Sequence, residues 1–189
     1  MTNRALFLDR DGVINHEIGY LSRAAEVVFV DGIFSLCRTA RRLGYHIFVV
    51  TNQAGIARGF YTEADYEQLM EWMRGEFRRE GIEFDGVYHC PFHPEHGIGH
   101  YKREHEDRKP GTGMLRRGAR EFSLDLTQSV LVGDRCSDIA AANSAGLRQA
   151  FLIAGTEPAP CPGRYLSIIT LREVEQWLLD AEALSPNPA

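Results

Sequence analysis

Short apolar runs alternating with stretches of helical periodicity constrain this chain more than any other feature. Residues Ala5-Leu6-Phe7-Leu8, Tyr45 to Val50, Gly86-Val87-Tyr88, Val130-Leu131-Val132, Ala150 to Ile153 and Leu166 to Ile169 each read as a buried strand. Between them, Ile33, Leu36, Cys37, Ala40 and Leu43 recur at helical spacing, as do Tyr66, Leu69, Met70, Met73 and Phe77. Further helices are expected over Met114–Phe122, Ile139–Ala145 and Leu171–Ala181. Thr62 with Asp65, and Thr170 with Glu173, stand at the spacing of helix-capping boxes. Strands separated by helices cannot pair as hairpins, so the pattern predicts an α/β fold with a mostly parallel sheet flanked by helices on both faces.

In such a sheet, ligands meet the carboxyl ends of the strands, and polar clusters fall there three times. Asp9 and Asp11 follow the first strand, Thr51 and Asn52 the second, and Gly133-Asp134 the fourth. Two aspartates one residue apart would repel each other at the end of a buried strand unless a cation is shared between them. A turn built on Asp9, Asp11 and Gly12 is the alternative, but it leaves Asp134 without a role. Oxygen ligands of this kind suit a hard divalent ion, so Mg2+ is expected, with one carboxylate of the pair on the ion, the other free for proton transfer, and Asp134 completing the negative surface.

Composition narrows the class of partner. The 189 residues carry 21 basic and 26 acidic side chains, a formal charge of −5, which offers no basic field for nucleic acid or an anionic membrane. A single domain over 1–189 is expected, without a membrane span or secretory leader. Four scattered cysteines, Cys37, Cys90, Cys136 and Cys161, fit a reducing cytoplasm, with Cys136 read as a small helix-side residue. No heptad or repeat marks an association surface, so a monomer is expected.

The stretches LDRDGVIN, VVTNQAGIARGFYTEADYEQLMEWM, CPFHP, DRKPGTGM and LVGDRCSDIAAANSAG give the chain a narrower likeness. Over roughly residues 5 to 155 it resembles the D-glycero-D-manno-heptose 1,7-bisphosphate 7-phosphatases and their histidinol-phosphate phosphatase relatives, within the haloacid dehalogenase-like superfamily. The resemblance implies a Rossmann-like core with small loop insertions and no large cap. It also implies a magnesium-dependent phosphatase for a small phosphorylated sugar, acting at the 7-phosphate of the beta heptose bisphosphate. Histidinol phosphate is the alternative substrate, and a noncatalytic phosphosugar-binding domain the alternative class.

Carried over by position, Asp9 matches the nucleophile and Asp11 the general acid and base, the resemblance implies that Asp9, the backbone carbonyl of Asp11 and Asp134 hold the cation, and Thr51, Asn52 and Lys109 match phosphate-binding positions. Arg108 could clamp a second phosphate, and Arg58 is either an anion ligand or a loop surface charge. Loops 15–24, 52–60 and 90–108 are expected to enclose the substrate, with Asn15, His16, Glu17 and Tyr20 as hydroxyl-recognition candidates. Asp138 could touch Lys109 or the cation shell, or stand exposed at a helix end.

One loop departs from the family pattern. Where relatives carry Cys-x-His and Cys-x-Cys around a zinc ion, this chain has Cys90 and Phe92, then His105 and Asp107. A displaced set of Cys90, His93, His105 and Asp107 would still offer four zinc ligands. Structural Zn2+ is therefore a possible but not a favoured expectation.

Overall fold

The computed structural model describes residues 3–155, 157 and 160–184. Six strands, β1 (Arg4–Leu8), β2 (Tyr45–Asn52), β3 (Gly86–Cys90), β4 (Val130–Gly133), β5 (Gln149–Ile153) and β6 (Leu166–Ile168), form one sheet in the order β3-β2-β1-β4-β5-β6. Every pairing is parallel. The helices are α1 (Ile33–Arg42), α2 (Ala54–Ala57), α3 (Glu63–Arg79), α4 (Gly113–Phe122), α5 (Cys136–Ala145) and α6 (Leu171–Ala183).

Alternation along the strands divides the core in two. Leu6, Leu8, Ile47, Val49, Val130 and Val132 face one layer with residues of α1, α3 and α6, among them Leu36, Met73, Phe77, Val174 and Leu178. Ala5, Phe7, Phe48, Val50 and Leu131 face the other, against Met114 and Leu115 of α4 and Ile139, Ala141 and Ala142 of α5. Both sides are covered, which explains why β1 and β4 are continuous apolar runs rather than alternating ones. Both expected capping boxes form, with Thr62 accepting from the Asp65 N–H and Thr170 paired with Glu173.

The structure corrects several boundaries. β2 runs two residues past Val50, through Thr51 and Asn52, because their backbones still pair with His89 and Cys90 of a longer β3. The segment after Asn52, read as irregular, contains α2, and α5 starts at Cys136 rather than Ile139. Capping explains the earlier start, since the Asp138 carboxylate accepts the Arg135 N–H.

Strand order sets the position of the site. The chain leaves β1 toward β2 and β3, then returns to place β4 on the other side of β1. A crevice opens at the carboxyl ends where the order reverses. Leu8 is level with both Val49 and Val132, and Asp9 continues the ladder by donating its N–H to the Val132 carbonyl at 3.0 Å. Asp9, Thr51 and Asp134 therefore leave the sheet at one edge.

At the opposite end of the sheet, Asp85 binds α1 to β2. Its carboxylate accepts the Ile47 N–H at 2.7 Å and meets the His46 ring at 2.9 Å and Arg41 at 2.6 Å. Burial raises the carboxyl pKa, but the hydrogen bonds from His46, Ile47 and Arg41 outweigh it and hold the group below its ordinary value. A depressed folded pKa stabilises the protein above the ordinary carboxylate range, and this contribution is lost as pH falls through the depressed value. Asp85→Ala is expected to cost about 1–3 kcal/mol at pH 7, and urea titrations at descending pH should show the gap from wild type closing as the pH falls below the ordinary carboxylate range.

Candidate active site

Lys109 is 3% exposed, and its ammonium is within reach of the Asp9 carboxylate at 3.0 Å, the Asp138 carboxylate at 2.5 Å and the Val50 carbonyl at 2.8 Å. An ammonium has three N–H donors, and these three acceptors match them. Its pKa is raised because the two carboxylates outweigh the cost of burying it. Asn52 positions this lysine by its backbone. The Asn52 amide donates to the Lys109 carbonyl and accepts its N–H, each at 3.0 Å. Expected to bind phosphate, the Asn52 side chain thus has both ends committed to Lys109.

Asp9, Asp134 and Asp138, all buried, each bring a carboxylate oxygen within 4.8 Å of the others, the one such group of potential metal ligands among the described residues. Two glycines make room for them. Gly12 has φ +80°, and a Cβ there would lie 2.4 Å from an Asp134 oxygen, while a Cβ on Gly133 would lie 2.3 Å from the Asp138 Cβ. Burial first, and then the neighbouring Asp138 and Asp11, push the Asp9 carboxyl up to about 7 against the pull of Lys109. Burial with Asp9 and Asp138 pushes Asp134 up to about 8. Lys109 and the Arg135 side chain, 3.5 Å from Asp134, are two cations facing three carboxylates, which leaves the group short of positive charge, and an all-oxygen donor set of this kind fits Mg2+. Asp138, whose role the sequence left open, belongs to the group rather than to an exposed helix end.

The Asp11 carboxylate is held separately. Arg10, 1% exposed, contacts both of its oxygens at 2.8 and 3.0 Å, Asn15 donates to it at 3.1 Å and Gln53 at 3.1 Å. Gln53 also donates to the Thr51 hydroxyl at 2.8 Å and accepts from Tyr61, so it joins the ends of β1 and β2. Sequence reading missed Arg10 and Gln53. Their signal lay in the same DRDG and TNQAG stretches, as polar side chains flanking the expected acid and hydroxyl. Asn15 requires a correction. It is fully buried and its amide serves Asp11 and the His16 carbonyl, so it braces the acid and does not face the cavity.

Above these groups lies a cavity of about 440 Å³, lined by Asp9, Asp11, Thr51, Asn52, Lys109 and Asp134 at its floor. Glu17, Tyr20, Arg58 and Arg108 form its walls, together with His93 and Glu157. Of the hydroxyl-recognition candidates, His16 is exposed and lies outside this lining. The loops support one another. Tyr20 stacks on Phe60 at 4.0 Å and its hydroxyl accepts from Arg58 at 2.9 Å, while the Ile98 N–H donates to the Ala57 carbonyl at 2.8 Å. Burial holds the Arg108 guanidinium below its ordinary pKa and Arg58 adds repulsion, an arrangement that an anion between them would relieve.

The displaced zinc set does not converge. The His93 Nδ1 accepts the N–H groups of Glu95 and His96 at 3.2 and 3.1 Å, and the His105 Nδ1 accepts that of Asp107 at 3.1 Å. Asp107 is ion-paired with Arg117, and Cys90 is buried at the end of β3. A second correction concerns Cys136, which is bonded to Cys161. Their 25-residue separation hid the contact, which forms because the segment after β5 folds back over the start of α5. There the Cys136 N–H donates to Glu157 at 2.9 Å, placing a carboxylate on the cavity wall. No helix among the described residues is long and apolar enough to cross a membrane.

This parallel fold and its aspartate-lysine site define a haloacid dehalogenase-like hydrolase, and the HAD-hydrolase-like family model matches residues 107–160. A D-glycero-alpha-D-manno-heptose-1,7-bisphosphate 7-phosphatase of Burkholderia mallei is 56% identical over 153 residues, 81% of each chain. A D-glycero-beta-D-manno-heptose-1,7-bisphosphate 7-phosphatase of Vibrio cholerae is 43% identical over 95% of this chain and 98% of its own. The solved D,D-heptose 1,7-bisphosphate phosphatase of B. bronchiseptica, complexed with magnesium and phosphate, superposes with a TM-score of 0.80 at 26% identity, covering 94% of this chain and 99% of that one. The chain belongs to the D-glycero-D-manno-heptose 1,7-bisphosphate 7-phosphatase family.

Two thiols remain outside the disulfide, both buried, and burial pushes that of Cys37 up to about 12. Thiol titration of protein denatured without reductant should therefore find two equivalents, rising to four after reduction. Four before reduction would show that Cys136 and Cys161 are thiols in the purified protein.

Proposed function

We propose that this chain removes the 7-phosphate from a D-glycero-D-manno-heptose 1,7-bisphosphate through an aspartyl-phosphate on Asp9. The observation that carries the reading is the convergence of Asp9, Asp134, Asp138 and Lys109 beneath a cavity whose walls bring Arg58 and Arg108. The closely similar relatives bear this activity in their names, and they divide by anomer.

The residues act in sequence. An Asp9 carboxylate oxygen attacks phosphorus, the bond from phosphorus to the sugar O7 breaks, and Asp11 gives the departing oxygen its proton. Asp11, now ionised, takes a proton from water as that water attacks phosphorus. The P–O bond to Asp9 then breaks, releasing inorganic phosphate and restoring both carboxyl groups. Arg10, Asn15 and Gln53 hold Asp11 in place for both transfers. The Thr51 hydroxyl is positioned by Gln53 to meet a phosphoryl oxygen. Lys109 favours the ionised form of Asp9 against the cost of burial and holds it at the cavity floor. Mg2+ would be held by Asp9, Asp134 and the Asp11 carbonyl, with Asp138 beside it, and would supply charge neutralisation for the transferring phosphoryl group. Arg58 and Arg108 receive the 1-phosphate, and Glu17 and Tyr20 face the sugar hydroxyls.

The beta anomer expected from the sequence competes here with the alpha anomer named for the 56%-identical relative, and kinetics decide between them. A single domain, a monomer and a cytoplasmic setting complete the reading. In a reducing compartment Cys136 and Cys161 would be thiols, and light scattering coupled to size exclusion reports the mass.

Asp9→Asn should fold normally and lose phosphate release by orders of magnitude, whereas Asp11→Asn should lose least on substrates with good leaving groups. Removing divalent ions with EDTA should abolish turnover and restoring Mg2+ should return it. In a panel of both heptose anomers and histidinol phosphate, a bisphosphate should have the higher kcat/KM by roughly tenfold or more, since a second charge-assisted contact contributes about 1–3 kcal/mol. A higher value for histidinol phosphate would overturn the substrate, and a folded Asp9→Asn protein with full turnover would overturn the mechanism.

A further inference from the structure

The loop after β3 is drawn together at Phe92. The Arg103 guanidinium lies 3.9 Å from the centre of the Phe92 ring, and the His105 ring stacks on it at 4.6 Å with 26° between planes. Cation–π and offset stacking contacts of this kind each favour closure over the open loop. The residues that meet here also hold Arg108 at both ends. Its guanidinium donates to the Phe92 carbonyl at 3.2 Å, and its backbone N–H donates to the His105 carbonyl at 3.0 Å. An arginine side chain has several rotatable bonds, so its reach into a cavity depends on where these two anchors stand relative to each other. The stack on Phe92 joins the two residues that carry these anchors. Asp107, between His105 and Arg108, is pinned to Arg117 of α4, which ties the same turn to the body of the protein.

We propose that the stacking of Arg103 and His105 on Phe92 is a positioning device for Arg108, setting affinity for the second phosphate of the substrate without entering phosphoryl transfer. This rests on the assignment of Arg108 to that phosphate. None of the three stacked residues is placed among the reacting groups. Their effect is therefore expected in KM rather than in kcat.

The test compares wild type, Phe92→Ala, Phe92→Trp, Arg103→Leu, Arg108→Ala and the Phe92→Ala/Arg108→Ala double variant on heptose bisphosphate. Phe92→Ala should raise KM about tenfold with kcat within about twofold, equivalent to losing one charge-assisted contact. Phe92→Trp should restore KM, and Arg103→Leu, an exposed change compatible with folding, should reproduce part of the defect. The double variant should be no worse than Arg108→Ala, because the stack acts through that arginine. A KM unchanged in Phe92→Ala while Arg108→Ala raises it overturns the device and leaves the arginine assignment standing. If neither changes KM, the assignment fails and the device with it. Additive losses in the double variant, or an equal rise in KM on p-nitrophenyl phosphate, would show general loosening of the loop and overturn the proposal. If Phe92→Ala does not fold, Arg103→Leu with and without Arg108→Ala decides by the same criteria.

Discussion

The rest of the site depends on one buried ammonium. Lys109 lies between Asp9 and Asp138, and without it three carboxylates would crowd one another in a setting that already penalises their charge. Its three acceptors come from different elements, the end of β1, the end of β2 and the first turn of α5. The lysine is thus a structural joint as well as a charge. The three acids still outnumber the cations that meet them, Lys109 and Arg135, which leaves a place for a divalent ion.

Much of this was legible in the chain. Parallel strands follow from β/α alternation, and strand ends carry the polar clusters, so Asp9, Thr51 and Asp134 could be placed on one edge before any coordinates. What stayed hidden were contacts between residues whose relation is not periodic. Gln53 sits in a stretch that was read for Thr51 and Asn52, yet its bridge from Asp11 to Tyr61 depends on how α2 turns after β2. A polar side chain in a loop is usually exposed, so Asn15 reads as a wall residue, but the chain doubles back there and Asn15 is buried. Cys136 and Cys161 meet only because β5 and its following segment return beside α5.

The cavity walls follow a different logic from the floor. The floor is fixed by strand register and charge, whereas the walls rest on contacts between loops, Tyr20 on Phe60, Arg58 on Tyr20, and the 90–108 loop on the Ala57 carbonyl. The walls can therefore vary with the loops while the floor stays fixed by register, and the relatives named for the alpha and the beta anomer share this fold family.

β4 pairs with β1 although two further strands and four helices separate them along the chain. Asp9 and Arg10 are translated early and Asp134 late, so the carboxylate group cannot exist until a long stretch of chain has closed on itself. Loop closure of that length carries a large entropic barrier, and it is repaid by apolar contacts such as Leu8 level with Val132 rather than by the acids, which oppose it. The competence to bind a cation is thereby tied to a long-range closure of the chain, and a chain in which β4 has not joined β1 lacks the pocket in which the metal would lodge.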